Sequence, residues 1–385
     1  MRDLLIDITR LIGRFMQGRL PTGVDRVGLA YIEHYRHRAL AEVRWVGRGF
    51  TLSRGLSDRL FDRLLCPCER HRTATRMLVA RGIIAAMGRP AVTHRLLLNT
   101  GHSGLEHHGY ARVLARRRVQ PVFLLHDLIP ITHPEYCRPG EGQRHRTRLN
   151  TMLDLARGII TNSQTTLEEL GAYARRIARD LPPAMAAPLA PGLLAMPPAP
   201  RPLDAPYFVV LSTIEPRKNH WLLLHVWRQI IADLGASAPR LVVIGQRGWE
   251  CENVVDLLER CESLREVVLE RSECSDTELV NYLHHAQALL FPSFAEGYGM
   301  PLIEALSLGV PVIASDLPVF AEIAGDVPEY IDPLDGRRWR QVIESYAVAD
   351  SGPRSAQLER MARFAVPSWK QHFAVVDTFL ERVCA

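Results

Sequence analysis

Short apolar runs that end in polar residues alternate with stretches of helical period along the first half of the chain. LLIDI (4–8), EVRWVGR (42–48), RLLLNT (95–100), PVFLLHD (121–127) and GIITNS (158–163) each read as a buried strand. The loop GRLPTG (18–23) follows the first run, and residues Val24 to Tyr35 then take a helical pattern. An arginine-rich helix is expected between the third and fourth strands, and another from Gln164 to Arg179. Alternation of this kind predicts a mostly parallel, doubly wound sheet, because parallel neighbours need a crossover between them.

From Leu181 to Pro206 the composition shifts to proline and alanine with no visible period, which marks a linker. A second alternating series begins at once: YFVVLS (207–212), RLVVIG (240–245), EVVLE (266–270), QALLFPS (287–293) and VPVIAS (310–315). The expected architecture is α/β, with two Rossmann-like doubly wound domains facing across a cleft. Residues 1–200 would form the first and 201–367 the second. The amphipathic segment 368–385 would be a last helix able to pack back on the first domain. Ligands of such sheets bind beyond the carboxyl ends of the strands, so the polar residues just after each strand matter most.

Composition narrows the class. Apolar residues make up 47% and charged residues 23%, as in an ordinary globular protein. No run of some 18 apolar residues could span a bilayer, and the opening MRDLLIDITRLIGR is broken by Asp7 and Arg10, unlike a secretory signal. The seven cysteines are scattered, which argues against a disulfide framework and for a cytoplasmic chain. Cys66-Pro67-Cys68 lacks the second pair that a zinc site needs. The net charge is +5, and Lys218 and Lys370 are the only lysines. The first 90 residues are dense in arginine, including Arg10, Arg14 and Arg19. Such a face could meet an anionic membrane surface, or simply be solvated.

Four segments carry candidate chemistry. In FPSFAEGYGMPLIEALSLGVPVIAS (291–315) a strand is followed by a glycine-rich loop with Glu296, Gly297 and Gly299. A helix then starts near Met300 and Pro301, with Leu302 and Glu304 in its first turn and Gly309 as its stop. Amide groups at that start favour an anion or sugar oxygens, and the two glutamates could accept bonds from vicinal hydroxyls. The bland alternative is dipole complementarity alone. In LSTIEPRKNH (211–220), Arg217 and Lys218 pair a forked guanidinium with a point charge, as suits a diphosphate. In LPTGVDRVGLAY (20–31), Thr22-Gly23 precedes a helix and leaves room for a phosphate. In FLLHDLIPITHPE (123–135), His126 stands at a strand end, where it is either a site residue or a satisfied core histidine. His102, His107 and His108 are metal-ligand types without a convincing carboxylate partner, so no metal is expected there, though they could line an acceptor site.

Together these segments resemble the retaining glycosyltransferase family 4, which has the GT-B fold. The resemblance is strongest over 207–335, where Glu296 and Glu304 match the family's Glu-x7-Glu element and STIEPRKN its phosphate-binding segment. VVIGQRGW, GDVPEYIDPLD (325–335), PTGVDRV, HDLIPITHPE and IITNSQTT resemble further segments. By that resemblance Arg217 and Lys218 would hold the donor diphosphate and Glu304 its ribose. Glu296 and the Gly297–Leu302 backbone would contact the transferred sugar, Gly23 would sit beside the phosphates, and His126 would be the active-site histidine. Many relatives carry arginine where this chain has Thr213, so Arg217 is expected to supply that charge. The family implies no metal and no other cofactor, the nucleotide-sugar being a substrate. It also implies transfer with retained anomeric configuration, the donor phosphate taking the acceptor's proton. The EPRKN form favours mannose from GDP-mannose. A lipid-linked saccharide in bacterial polysaccharide assembly would be the acceptor, reached from the inner face of the membrane; no nucleic acid is implied. A sugar-nucleotide epimerase of the same architecture and a non-catalytic nucleotide-sugar-binding subunit stand as alternatives.

Overall fold

The structure is a computed structural model that describes residues 4–45, 48–87, 95–107, 109–193, 196–197 and 199–384. It divides into two compact units. The first holds residues 1–131, 140–189 and 368–385; the second holds 132–139 and 190–367.

The first unit is built on a seven-stranded sheet: β1 (Leu4–Asp7), β2 (Ala39–Trp45), β3 (Arg48–Thr51), β4 (Leu96–Asn99), β5 (Gln120–Leu125), β6 (Gly158–Thr161) and β7 (Ala184–Ala186). The strand order is β3-β2-β1-β4-β5-β6-β7. All neighbours are parallel except β2 and β3, which pair antiparallel with Val43 opposite Phe50. The expected single strand 42–48 is therefore two strands; its residues 46 and 47 lie outside the described residues. Every residue of β1 and β4 is buried, which explains why these strands read as continuous apolar runs rather than alternations. Four helices pack along the early part of this unit: α1 (Thr9–Met16), α2 (Gly23–Tyr35), α3 (Arg54–Leu65) and α4 (Arg72–Met87). Buried ion pairs tie the edge down. Arg117 binds Glu42 and donates to the Thr51 hydroxyl at 2.7 Å, joining a helix to both β2 and β3.

The closing helix, Trp369–Cys384, lies on this first unit. His372 sits between the Tyr31 hydroxyl and the Pro188 carbonyl, each 3.0 Å away, and Tyr35 donates to Asp377 at 2.8 Å. Phe373 meets Tyr31 edge-on at 5.1 Å. Aromatic burial with satisfied polar tips is what holds a terminal helix in place.

The second unit carries a six-stranded, wholly parallel sheet: β8 (Tyr207–Leu211), β9 (Arg240–Ile244), β10 (Val268–Arg271), β11 (Leu289–Phe291), β12 (Val312–Ser315) and β13 (Glu329–Ile331). The order is β10-β9-β8-β11-β12-β13. The chain crosses from one side of β8 to the other between β10 and β11, so β8 and β11 flank the switch in strand order, where a doubly wound sheet opens a crevice. The core beneath holds Trp227 and Trp339, both fully buried, with indole N–H groups bonded to the Pro239 and Asp332 carbonyls.

Candidate functional site

The loops after β8 and β11 meet at that switch point. After β8 the chain runs beside the loop after β9: Ser212 N–H donates to Ile244 O at 3.0 Å, Ile214 N–H to Gln246 O at 2.9 Å, and Gly248 N–H to Ile214 O at 2.9 Å. This requires Gly245, whose φ is +150° and where a Cβ would lie 1.9 Å from the Ser212 carbonyl oxygen. A single 3-10 turn, Pro216–Lys218, then ends at Asn219, which is left-handed at φ 54° and is held by a side-chain bond to Pro333 O at 2.9 Å. The helix His220–Leu234 begins immediately after. The turn is stitched to the β11 loop by Phe294 N–H donating to Arg217 O at 2.9 Å.

This stitching brings the predicted cations and carboxylate together. The Arg217 guanidinium lies 2.8 Å from Glu296 and donates to Ala295 O at 2.7 Å and to Glu215 at 2.8 Å. The Lys218 ammonium binds the other Glu296 oxygen. Burial pushes the Glu296 carboxyl up, but the two cations outweigh it and hold the group at about 2, so it is a carboxylate. Burial, and then Arg217, push Lys218 down against the pull of Glu296. Burial likewise raises Glu215, with Arg217 and Lys218 opposing. Two carboxylates thus hold two cations in a closed, largely dehydrated network.

Beside it the helix Met300–Ser307 starts without a side-chain cap. Gly299 precedes it at φ +113°, a position where a Cβ would come within 2.7 Å of the Phe320 ring, so no other residue fits without displacement. Pro301 stands in the first turn, but Glu304 does not: it is the fifth helical residue, one turn further in than expected. There it is buried, and one of its oxygens accepts Gly192 N–H at 3.2 Å. Leu302, buried beneath, anchors the same turn. Gly309, left-handed at φ +74°, ends the helix as expected. Gly297 lies in the loop between Glu296 and Gly299.

In the first unit, Thr22 and Gly23 do begin α2, with Thr22 as its N-cap. Asp25, a residue not singled out from sequence, fills that turn: it accepts the Thr22 N–H at 2.8 Å and the Thr22 hydroxyl at 2.6 Å. Arg10 (2.8 Å) and Arg14 (2.7 Å) converge on the same carboxylate. Two of the three arginines expected to present a basic face are therefore turned onto Asp25, and Arg19 alone stays exposed.

His126 is buried after β5 and its Nε2–H donates to Thr100 O at 2.7 Å; its own carbonyl accepts from Asn162 at 2.8 Å. His102 lies 5.2 Å from the His126 ring and 6.2 Å from that of His145. Their Nε2–H groups donate to Leu124 O and Asp127 O. Burial lowers the pKa of all three, keeping them neutral. With Nε2 protonated in each, Nδ1 is the basic nitrogen. His107, the second of the three histidines noted in the sequence, is exposed, and His108 lies outside the described residues. Among the described residues no group of histidine, cysteine and carboxylate side chains is placed to hold a metal ion.

Glu215, Asn219 and Gly192 were missed in the sequence. Glu215 had a signal, since it lies two residues before Arg217 in the same motif. Gly192 had none, because only the folded chain carries it to Glu304.

Comparison with known proteins bears on the fold and the family. Residues 195–328 match the family described as glycosyl transferases group 1. The serotype-specific mannosyltransferase WbdA of Escherichia coli is 28% identical over 273 residues, covering 65% of this chain and 32% of that protein. The O-antigen chain mannosyltransferase B of the same organism is 31% identical over 242 residues, covering 60% of this chain and 61% of its own. The chain thus spans about a third of the one relative and three fifths of the other. Anabaena Alr3699/HepE, solved with UDP and with UDP-glucose, superposes at a TM-score of 0.66 with 16% identity, over 99% of this chain and all of that one. The chain therefore has the GT-B glycosyltransferase fold, with residues 195–328 matching the glycosyl transferases group 1 family and mannosyltransferases among its relatives in sequence.

Proposed function

We propose that this chain transfers a hexose, mannose from GDP-mannose by preference, to a saccharide acceptor with retention of anomeric configuration. The observation that carries the reading is the convergence of Arg217, Lys218 and Glu296 beside an uncapped helix start at the sheet's switch point. Preorganised cations in a dehydrated pocket stabilise charge that develops on a departing diphosphate. Glu296 pairs with both cations. An arriving diphosphate would take them over and free Glu296 to accept bonds from sugar hydroxyls, with the Gly297–Leu302 backbone alongside. Glu304, already oriented by Gly192, would accept from the ribose. Gly23 would lie near the phosphates, and His126, neutral with a basic Nδ1, would accept from a sugar hydroxyl. No protein nucleophile is assigned; the donor phosphate takes the acceptor's proton as the nucleotide leaves.

Mannose is supported by the names of the sequence relatives; a uridine donor is supported by the HepE complexes. The acceptor is proposed to be a lipid-linked saccharide of surface polysaccharide assembly, met at the inner face of the cytoplasmic membrane. The test is a screen of GDP- and UDP-sugars with lipid-linked acceptors. It should show turnover with GDP-mannose, product of retained configuration by NMR, and activity that survives EDTA. Consumption of donor without acceptor, or activity abolished by EDTA and restored by manganese, would overturn it.

A further inference from the structure

The helix α4 (Arg72–Met87) is unusual on its outer side. Its inner side is clear: Thr75, Val79, Gly82 and Ile83 are buried, and Arg63 of α3 donates to the Thr75 hydroxyl at 3.1 Å. At 100° per residue, the opposite side carries Thr73, Met77, Ala80, Arg81 and Ile84, with Met87 at the C-terminal end. Met77 is 59% exposed, Ile84 69% and Met87 56%. A surface helix ordinarily sets a polar face against water. This one turns large apolar side chains to both sides.

Its charge is equally one-sided. Arg70, Arg72, Arg76 and Arg81 fall within residues 70–87, and no aspartate or glutamate does. Arg76 and Arg81 are exposed and have no acidic partner among the described residues. Near the helix's first turn a recess of about 220 Å3 is lined by Arg14, Arg19 and Arg72 together with Asp25, and Leu20, itself 55% exposed, is among its walls. The Arg72 guanidinium lies against the bare backbone of Gly18 in the same recess. On the outer side of α4, exposed apolar side chains interleaved with arginines, with no aspartate or glutamate in residues 70–87, match a bilayer interface. The alkyl groups enter the headgroup boundary, while guanidinium groups meet phosphates. A protein partner of matching charge would need an acidic surface around an apolar pocket; an anionic bilayer supplies both along the helix's whole length. Among the described residues no helix is long and apolar enough to cross a membrane, so the contact would be made from one side.

We propose that the outer face of α4 seats the protein on an anionic lipid bilayer, with Met77, Ile84 and Met87 inserted and Arg76 and Arg81 on lipid phosphates. This deepens the lipid-linked acceptor reading and rests on it for its purpose, but the surface itself is testable apart from any transfer activity. The basic face moves from Arg10 and Arg14, which Asp25 occupies, to α4.

The experiment is sedimentation of the full chain with vesicles of phosphatidylcholine alone or with phosphatidylglycerol added, at low and high salt. Binding is expected to the anionic vesicles and to weaken with salt. Each arginine near such a surface is worth about fivefold in partitioning, so R76E/R81E should lose at least about 25-fold. M77S/I84S, which removes apolar groups without touching charge, should lose roughly tenfold or more and leave the residual binding more salt-sensitive. All these side chains are exposed, and unchanged thermal unfolding of both variants would confirm intact folds. GDP-mannose binding, followed by calorimetry, should be the same in both variants. Its failure in the wild type would strike the donor reading and not this one. Absence of vesicle binding at low salt overturns the proposal, as does binding that M77S/I84S leaves unchanged. Concentration-dependent self-association that M77S/I84S abolishes, with no vesicle binding, would also overturn it by assigning the face to a second copy.

Discussion

Each unit of the molecule grips a carboxylate with two cations beside a helix start, yet the two arrangements differ in where the carboxylate sits. In the first unit Asp25 is itself the third residue of α2 and closes the turn through the Thr22 amide and hydroxyl, with Arg10 and Arg14 outside it. In the second unit Glu296 lies before the helix Met300–Ser307, and that helix begins at Gly299 with no side-chain cap. The components are alike. A carboxylate inside the turn spends the cations and the amides on holding the chain together. One outside the turn leaves the helix start uncapped and keeps the cations in a form that a competing anion can claim.

The sharpest way to break this contrast is at Lys218. Lys218→Ala should lower turnover by on the order of a hundredfold, as loss of one preorganised electrostatic donor does; a wild-type rate in a steady-state assay would place the diphosphate elsewhere. Asp25→Ala should act oppositely, costing stability rather than chemistry at the donor. Loss of a cap is worth about 1 kcal/mol. Stranding Arg10 and Arg14, both partly exposed, adds less than a fully buried pair would, so about 2–3 kcal/mol in total is expected from urea unfolding. Donor affinity unchanged in that variant would sharpen the distinction. At Glu304 the effect is intermediate: a carboxylate bonded to ribose hydroxyls is worth roughly 1.5–3 kcal/mol, so Glu304→Ala should weaken donor binding by about tenfold or more.

The smallest expected effect is in the acid range, and its sign follows from the groups involved. His220, pushed to about 3 by burial and by Lys218, is neutral in the folded chain, and His372 is pushed to about 4 chiefly by burial. The unfolded chain binds those protons first, so their stabilisation is complete above pH 6.5 and declines below it. Glu296, lowered from 4.5 to about 2, adds stability present above pH 4.5 and lost as the pH falls toward 2. Thermal unfolding should therefore weaken in two stages, and Glu296→Gln should shrink only the lower stage, which Glu106, raised by burial but held at about 2 by Arg144 and Arg148, shares. A profile identical to wild type below pH 4.5 would show that the Glu296 pair contributes nothing to folding.

Much of this was legible in the sequence, for physical reasons that also explain the rest. The central strands of both sheets are buried on both faces, so they stand out as apolar runs, and Arg217, Lys218, Glu296 and Glu304 come after two of them, β8 and β11. Their mutual pairing was not legible, since 78 residues separate Lys218 from Glu296. The strand β7 is not legible in the proline- and alanine-rich stretch because its three half-buried residues, Ala184, Met185 and Ala186, carry no period; its pairing with β6 comes from tertiary context. The helix α4 went unread for the opposite reason. Large apolar groups lie on its outer as well as its inner side, so the contrast between faces that betrays a helix is missing.

The central proposal is that Arg217 and Lys218 of the second unit hold the donor diphosphate. Calorimetric titration of the wild-type chain with GDP-mannose, and separately with mannose and with GDP, tests it most directly. The account predicts saturable binding of GDP-mannose and GDP that high salt weakens, with free mannose failing to bind. Absence of binding by any nucleoside diphosphate or nucleotide-sugar, or binding of GDP-mannose with the same affinity in Lys218→Ala, would contradict it.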